Sequence, residues 1–106
     1  MGNKEPKALT RLKRKLTIEN LWIYIIKILI EHKEIKAYDA RKLLRTKFGI
    51  KAPSITVYGV IYRMAREGLI EKITRDNETL YRLTEKGLEA YREGIKLLEN
   101  ILQNLK

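Results

Sequence analysis

The segment from residue 55 to residue 67, ITVYGVIYRMARE, has residue types that bind nucleic acid, and a helix would place them on one side. On a helical wheel the outward side consists of Ile55, Thr56, Tyr58, Gly59, Tyr62, Arg63 and Arg66. Arginine can bind phosphate or donate to guanine O6 and N7, and tyrosine can bind phosphate or pack on a thymine methyl group. Ser54 precedes the segment as its predicted N-cap. We therefore predict a helix that enters a DNA groove.

Gly59 lies in the middle of this predicted helix, where glycine costs about 1 kcal/mol relative to alanine. A missing side chain on the outward side would let the helix axis lie deeper between the DNA strands. Two alternatives stay open: the exposed helix tolerates glycine here, or another part of the same protein packs close to it.

The sequence upstream predicts two helices that hold this one in place. A long apolar helix begins at Thr17, its predicted N-cap, and runs to about Lys33. A short extended piece follows at residues 34–37. A second helix then runs to Gly49, which ends it, and Pro53 biases the turn that follows away from helix.

The sequence downstream predicts a β-hairpin and a last helix. Two β-branched and aromatic runs, at residues 69–75 and 79–83, are separated by the turn residues Asp76 and Asn77. Thr84 is the predicted N-cap of a helix that continues close to the C-terminus. The fold class is therefore mainly α-helical with a small β-hairpin, in the order of a winged helix-turn-helix with an added C-terminal dimerisation helix. We divide the chain into a basic N-terminal arm (1–15), the winged-helix DNA-binding domain (16–83) and the dimerisation helix (84–106).

The charge of the chain supports a polyanion as partner. The formal net charge is +10, and residues 1–82 hold 19 Lys and Arg against nine Asp and Glu, whereas the remainder is balanced. A strongly basic part beside a neutral part predicts nucleic-acid binding by the first and another role for the second. The chain is also rich in Lys, Glu and Ile, as hyperthermophile proteins are, but that composition explains many charges and not an excess of one sign.

Further DNA contacts are predicted from the hairpin and from the arm. The hairpin carries Lys72, Arg75 and Arg82, and a wing of this type rests on the backbone or enters the minor groove. The arm carries Lys13 and Arg14 among six basic residues. Two interpretations of the arm stay open: a frayed, solvated tail, or a basic segment that lies on phosphate.

The first and last helices predict a homodimer. Apolar residues occupy more than half of the circumference of the predicted helix that begins at Thr17, which is wider than the apolar stripe that a single core requires. The last helix repeats apolar residues at spacings of three and four, as in a coiled-coil seam. The predicted dimer contacts are Leu21, Trp22, Ile25, Leu88, Tyr91, Ile95, Leu98, Leu102 and Leu105. The alternative is a last helix that folds back on its own domain.

Several classes of protein are excluded or disfavoured. The chain has no cysteine and one histidine, His32, and it shows no paired carboxylates, phosphate-binding glycine loop or metal-ligand cluster, so we expect no enzyme, metal or cofactor. The apolar run at residues 21–30 is much shorter than the roughly 20 residues that a bilayer-spanning helix needs. We therefore expect a soluble, cytoplasmic protein without a membrane partner.

Four stretches together resemble the PadR-type transcriptional regulators, in the small subfamily with a single C-terminal helix. They are LTIENLWIYIIKIL, IKAYDARKLL, TVYGVIYRMAREGLIEK and YRLTEKGLEAY, in the family's order and spacing from about Leu16 onward. The resemblance implies a homodimeric DNA-binding repressor whose last helix packs on the partner's first helix. The wing, RDNET, lacks the Gly-Arg-Pro-Arg stretch usual in the family, which implies weaker wing contacts. Many members bind small molecules at the dimer interface. Trp22 and Tyr91 could line such a cavity or belong to the core, and the sequence leaves an effector open.

The function predicted from the sequence is a sequence-specific transcriptional regulator that binds double-stranded DNA as a homodimer at a pseudo-palindromic operator, as a repressor. Two alternatives stay open. The first is a winged-helix protein that binds nucleic acid without sequence preference, as a chromatin-like or RNA-associated factor. The second is a protein-interaction module whose positive charge is incidental.

Overall fold

The computed structural model describes residues 4–106 as five helices and three strands. The helices are α1 (Lys7–Leu16), α2 (Leu21–His32), α3 (Ala37–Phe48), α4 (Ser54–Arg66) and α5 (Glu85–Leu105), with a 3-10 turn at Ile18–Asn20 between the first two. The strands are β1 (Glu34–Ile35), β2 (Ile70–Arg75) and β3 (Glu78–Leu83). The first three residues of the predicted arm lie outside the described part of the chain. Within that part, no helix has both the length and the apolarity that crossing a bilayer requires.

The three strands form one antiparallel sheet in the order β1-β3-β2. The pairing of β2 with β3 runs from Ile70 opposite Leu83 to Arg75 opposite Glu78. Asp76 and Asn77 form the two-residue turn with φ values of 52° and 64°, and this left-handed conformation is what a tight hairpin requires and what Asp and Asn tolerate. The predicted hairpin and its tip are confirmed.

The core surrounds α2, which contacts α3, α4, α5, β1 and β3. Five of its residues are buried, namely Leu21, Ile25, Ile26, Ile28 and Leu29. The sequence predicted that a second subunit was needed to cover this broad apolar face. A second subunit is not needed for most of this face, because α2 lies centrally and other elements of the same chain cover most of its circumference. Ile30 remains 41% exposed.

Two predicted helix caps are wrong, and one is confirmed. Thr17 does precede the 3-10 turn that leads into α2, but its side chain makes no cap there, because its hydroxyl donates to the carbonyl oxygen of Lys13 in α1 at 2.7 Å. Ser54 is already inside α4, because the carbonyl oxygen of Pro53 accepts the first helical hydrogen bonds. Thr84 does cap α5: its hydroxyl oxygen accepts from the main-chain nitrogen of Gly87 at 3.0 Å.

The beginning of α5 is fixed against the end of α4. The Thr84 hydroxyl donates to the carbonyl oxygen of Gly68 at 2.5 Å, and the Lys86 ammonium donates to the carbonyl oxygen of Glu67 at 2.7 Å. Further along α5, a Cβ on Gly94 would lie 3.2 Å from Ile23 Cδ1 and from Trp22 Cη2. The first half of α5 therefore packs on its own domain, as the alternative to a dimer seam predicted, whereas the second half is exposed.

The part of the arm from Lys7 onward forms the helix α1, which has no buried residue. Its apolar residues Leu9, Leu12 and Leu16 are 42%, 53% and 44% exposed. The Tyr24 hydroxyl on α2 donates to the carbonyl oxygen of Leu16 at 2.7 Å and ties the end of α1 to the core. From Lys7 onward, the segment that the sequence left between a frayed tail and a phosphate-binding arm is thus an amphipathic helix with an uncovered apolar side.

Candidate nucleic-acid interface

Helix α4 has one buried side and one bare side. Val57, Ile61 and Met64 face the core and are at most 3% exposed. On the opposite side Tyr62 is 64% exposed, and the side chains of Arg63 and Arg66 are also exposed. The predicted division of this helix into a core face and an outward face is therefore what the structure shows.

Tyr62 and Arg66 lie one turn apart on α4 and are in contact. The Arg66 guanidinium carbon lies 5.9 Å from the centroid of the Tyr62 ring, within the range of a cation–π interaction, which at an exposed site is weak. Among residues 4–106 no carboxylate forms an ion pair with Arg63 or Arg66. Both guanidiniums are thus available to an external anion or base edge.

The surroundings of Gly59 exclude close packing as the reason for a glycine in this helix. A Cβ at this position would meet the Nη1 atom of Arg63 at 3.5 Å, an ordinary van der Waals contact with the end of a flexible side chain. No other element of the described chain comes within 4 Å of that Cβ position. Clearance for a ligand and simple tolerance of glycine are the alternatives that remain.

The other predicted contacts on α4 differ in accessibility. Ser54 and Tyr58 are exposed, Tyr58 by 44%. Thr56 is half-buried and lines a cleft shared with the beginning of α2 and with Lys86 of α5. The outward face thus extends from Ser54 and Ile55 in the first turn of the helix to Arg66 at its end, with Thr56 at its edge.

The arginines of the hairpin are held by carboxylates. Arg75 donates two hydrogen bonds to Glu34, from Nη1 to Oε1 at 2.6 Å and from Nη2 to Oε2 at 3.1 Å. These bonds lower the pKa of the Glu34 carboxyl group and raise the pKa of Arg75. Arg82 donates to Glu71 at 2.7 Å. All three hairpin residues predicted to bind DNA are exposed. Lys72 is the one of the three that takes part in none of the ion pairs of residues 4–106.

The two predicted contacts on α1 are also paired. The Lys13 ammonium lies 2.5 Å from a carboxylate oxygen of Glu5, and Arg14 donates to Glu19 at 3.1 Å. Both pairs are solvent-exposed, and such pairs contribute little to stability. Lys13 and Arg14 therefore lie on the surface as predicted, but each already has an acidic neighbour.

Four basic residues that were not predicted from the sequence as DNA contacts come together beside α4. Lys42 and Arg45 on α3 and Lys51 in the turn before α4 line a groove with Tyr38 and Arg41. The signal in the sequence was the spacing of Lys42 and Arg45, which places them on one side of a helix. Lys51 joins them only because the chain folds back between α3 and α4.

The predicted dimer contacts fall into three groups. Leu21 and Ile25 are 1% and 0% exposed and belong to the core of the chain itself, so they are not available to an interface. Trp22, Leu88, Tyr91 and Ile95 are half-buried. Leu98, Leu102 and Leu105, on the second half of α5, are 40%, 53% and 79% exposed.

Comparison with solved structures identifies the architecture. A PadR family transcriptional regulator from Eggerthella lenta DSM 2243 superposes with a TM-score of 0.74 at 20% identity, over 93% of this chain and 89% of that one. F93 from STIV, a winged-helix DNA-binding protein, superposes with a TM-score of 0.69 at 21% identity, over 80% and 92%. The chain has a winged-helix fold.

A transcriptional regulator from Clostridium thermocellum also superposes, with a TM-score of 0.73 at 22% identity, over 80% of this chain and 88% of that one. The winged-helix protein is thus similar in fold to PadR-type and other transcriptional regulators, as its sequence pattern suggested. No protein-family model matches the sequence, and the search of curated proteins finds no match. By position in this fold, α3 and α4 form the helix-turn-helix, α4 stands where the recognition helix of such folds lies, and β2 and β3 form the wing.

Proposed function

We propose that this winged-helix protein is a sequence-specific DNA-binding regulator of transcription that acts as a repressor. The observation that carries the proposal is the outward face of α4, on which Tyr62, Arg63 and Arg66 are exposed and the two arginines have no carboxylate partner among the described residues. Arginine is the side chain that most often reads guanine in the major groove, which admits an α-helix. A protein seated there covers the duplex and can block the transcription machinery.

The stiffness of this face supports a role in sequence recognition. The buried side of α4 is anchored through Val57, Ile61 and Met64, so the outward side chains project from a helix that the core holds in place. Contacts built on a rigid element are more precise than contacts on a loop. Readout of base edges depends on that precision, whereas neutralising phosphates does not.

We also propose that two copies bind together. The exposed half of α5 presents large apolar side chains, namely Leu97, Leu98, Ile101, Leu102 and Leu105. Helix α1 presents three more, and apolar surface of this extent is typical of protein–protein contact sites. A two-fold dimer formed through these helices would present two α4 helices and select a pseudo-palindromic operator. The role would place the protein with chromosomal DNA, in the cytoplasm of a cell without a nucleus, and it involves no catalysis.

The test is selection of bound duplexes from a random pool, followed by footprinting on the selected sequence. We expect a pseudo-palindromic consensus and a protected region with two half-sites about one helical turn, or a multiple of it, apart. The double variant Arg63→Glu/Arg66→Glu should lose this binding. A protein-interaction module would instead leave the pool without enrichment, and the charge reversal would change nothing.

One observation favours a second candidate, a winged-helix protein that binds nucleic acid without sequence preference. The wing is occupied by ion pairs, which removes contacts that would help to fix the register on the duplex. Under this alternative the selection returns no consensus although duplex is bound, and footprinting shows uniform coating.

A further inference from the structure

The groove between α3 and the turn before α4 is a concave surface lined by four basic side chains. It has a volume of about 600 Å³, and its polar side chains are Tyr38, Arg41, Lys42, Arg45 and Lys51. No Asp or Glu lines it. Four cations around one concavity without an acidic residue repel one another, so the site is suited to an anion that neutralises them.

We propose that this groove is where the protein grips the DNA backbone, with Lys42, Arg45 and Lys51 as the phosphate-binding side chains, and that the wing makes no comparable contact. The inference rests on the proposed DNA-binding function. It assigns that function a phosphate site outside both the recognition helix and the wing.

The three side chains differ from the two arginines of the wing in having no anionic partner. None of the ion pairs within residues 4–106 includes Lys42, Arg45 or Lys51. All three are exposed. A phosphate that binds them displaces only water and loosely held counterions, and release of those counterions is the source of nonspecific affinity for DNA.

Arg41 has a different part in the same groove. Its Nε atom donates to the carbonyl oxygen of Ala52 at 3.1 Å, in a partly buried hydrogen bond that ties the turn to α3. This bond holds the segment that carries Lys51 against the helix that carries Lys42 and Arg45. Arg41 is therefore a positioning residue, and the three cations around it are the proposed ligands.

On the wing, by contrast, both arginines are matched by a carboxylate, as is the neighbouring Lys36, and Lys72 is the one wing cation without an ion pair among residues 4–106. Lys36 pairs with Glu78 at 2.6 Å, in addition to the pairs of Arg75 with Glu34 and of Arg82 with Glu71. To bind a phosphate, any of these cations would have to leave its carboxylate, and the released carboxylate would then repel the same phosphate. Asp76 at the tip adds one more negative charge.

The position of the groove suits a backbone contact beside the recognition helix. Ala52 and Pro53, which line it, immediately precede α4. A DNA strand held there would run past the beginning of α4, with the outward face of the helix directed into the adjacent groove of the duplex. In helix-turn-helix proteins the helix before the recognition helix crosses the backbone in this manner.

The experiment measures affinity for a random-sequence duplex of about 30 base pairs as a function of KCl concentration, by fluorescence anisotropy. Three triple variants remove the same charge from different places. The groove variant is Lys42→Gln/Arg45→Gln/Lys51→Gln, and the wing variant is Lys36→Gln/Arg75→Gln/Arg82→Gln. The control variant, on α5, is Arg92→Gln/Lys96→Gln/Lys106→Gln. The single variants Lys42→Gln and Lys51→Gln are measured beside them, and circular dichroism verifies that each variant is folded.

The groove variant should reduce the slope of log affinity against log salt by about 2–3 per bound subunit, at about 0.9 for each lost phosphate contact. The single variants should each reduce it by about 1, whereas the wing and control variants should stay within about 0.5 of wild type. A wild-type slope in the groove variant, or an equal loss in the wing variant, would overturn the inference while leaving DNA binding intact. If wild-type protein does not bind the duplex at all, the proposed function itself fails.

Discussion

A Cβ atom on Gly87 would lie 2.0 Å from the main-chain carbonyl oxygen of Leu69. No side chain fits at that distance, so the first turn of α5 is pressed directly against the backbone that leads from the recognition helix into the wing. The same junction includes the hydrogen bond from the Thr84 hydroxyl to the carbonyl oxygen of Gly68. The last helix is therefore rigidly joined to the end of α4.

Gly87→Ala should destabilise the protein. The added methyl group must push α5 away from Leu69, and overpacking of this kind costs about 1–3 kcal/mol, which outweighs the gain of about 1 kcal/mol in helix propensity. The free energy of unfolding, measured in guanidinium chloride, tests this. Gly59→Ala is the matched control, since the same substitution there meets only the end of a flexible side chain. Equal stability of the two variants would contradict the proposed contact.

Gly59→Ala should change stability and DNA affinity in opposite directions. Because the site is open, replacing glycine in the helix interior should stabilise the fold by up to about 1 kcal/mol. If the bare backbone provides clearance for a DNA strand, affinity for the selected duplex should fall by about tenfold, the equivalent of roughly 1.4 kcal/mol. Thermal unfolding and anisotropy titration measure the two effects. Unchanged affinity would show that the helix merely tolerates glycine.

The second half of α5 should hold two copies together. Placing lysines on its apolar side, as Leu98→Lys/Leu102→Lys, buries charge in the proposed interface and should convert the dimer into monomer. Asn100→Lys/Asn104→Lys adds the same charge to the same helix and should leave the dimer intact. Sedimentation velocity distinguishes the 12.5 kDa chain from a particle of twice that mass. A wild-type protein that sediments as a single chain at micromolar concentration would rule out the dimer.

The Glu34–Arg75 pair should make a pH-dependent contribution to stability. The hydrogen bonds from Arg75 lower the pKa of Glu34 below its ordinary value of 4.5 in the folded state. The contribution is therefore fully present above that value and is lost as the pH falls through the lower, folded-state pKa. Glu34→Gln should unfold at a slightly lower temperature than wild type at pH 7, and the difference should disappear once the pH lies below the folded-state pKa of Glu34. A difference that persists at low pH would exclude this ion pair as its source.

The same variant also bears on the wing. With Glu34 replaced, Arg75 loses its carboxylate and becomes free to bind phosphate, so the salt dependence of DNA binding should steepen by up to about 1. Glu89→Gln removes one negative charge from α5, where no ion pair within the described residues involves it, and serves as the control. An equal effect of both substitutions would indicate a general charge effect rather than release of the arginine.

Features set by neighbouring residues in the chain could be predicted from the sequence. The hairpin tip depends on Asp76 and Asn77, the end of α3 depends on Gly49 with φ at 68°, and the cap of α5 depends on Thr84. The two faces of α4 followed from periodicity alone, because helical geometry fixes which side chains share a side. In each case the local residue types and the tertiary structure favour the same conformation.

Features set by residues distant in the sequence could not be predicted. The break after α1 depends in part on the hydrogen bond from Tyr24 to Leu16. Periodicity showed that Leu21 is apolar but not which element would cover it. Arg75 and Glu34 lie 41 residues apart, so the basic residues of the wing could be counted beforehand but their neutralisation could not be foreseen.

The exposed half of α5 also has a consequence for the protein as it is made in the cell. A helix of only a few turns is marginally stable in water when it has no tertiary contacts. The proposed partner would therefore supply much of what keeps this segment helical. Assembly and completion of the fold would then be a single event, and newly synthesised chains at low abundance would remain both unpaired and incompletely folded. Expression level would thereby set the fraction of molecules competent to occupy an operator.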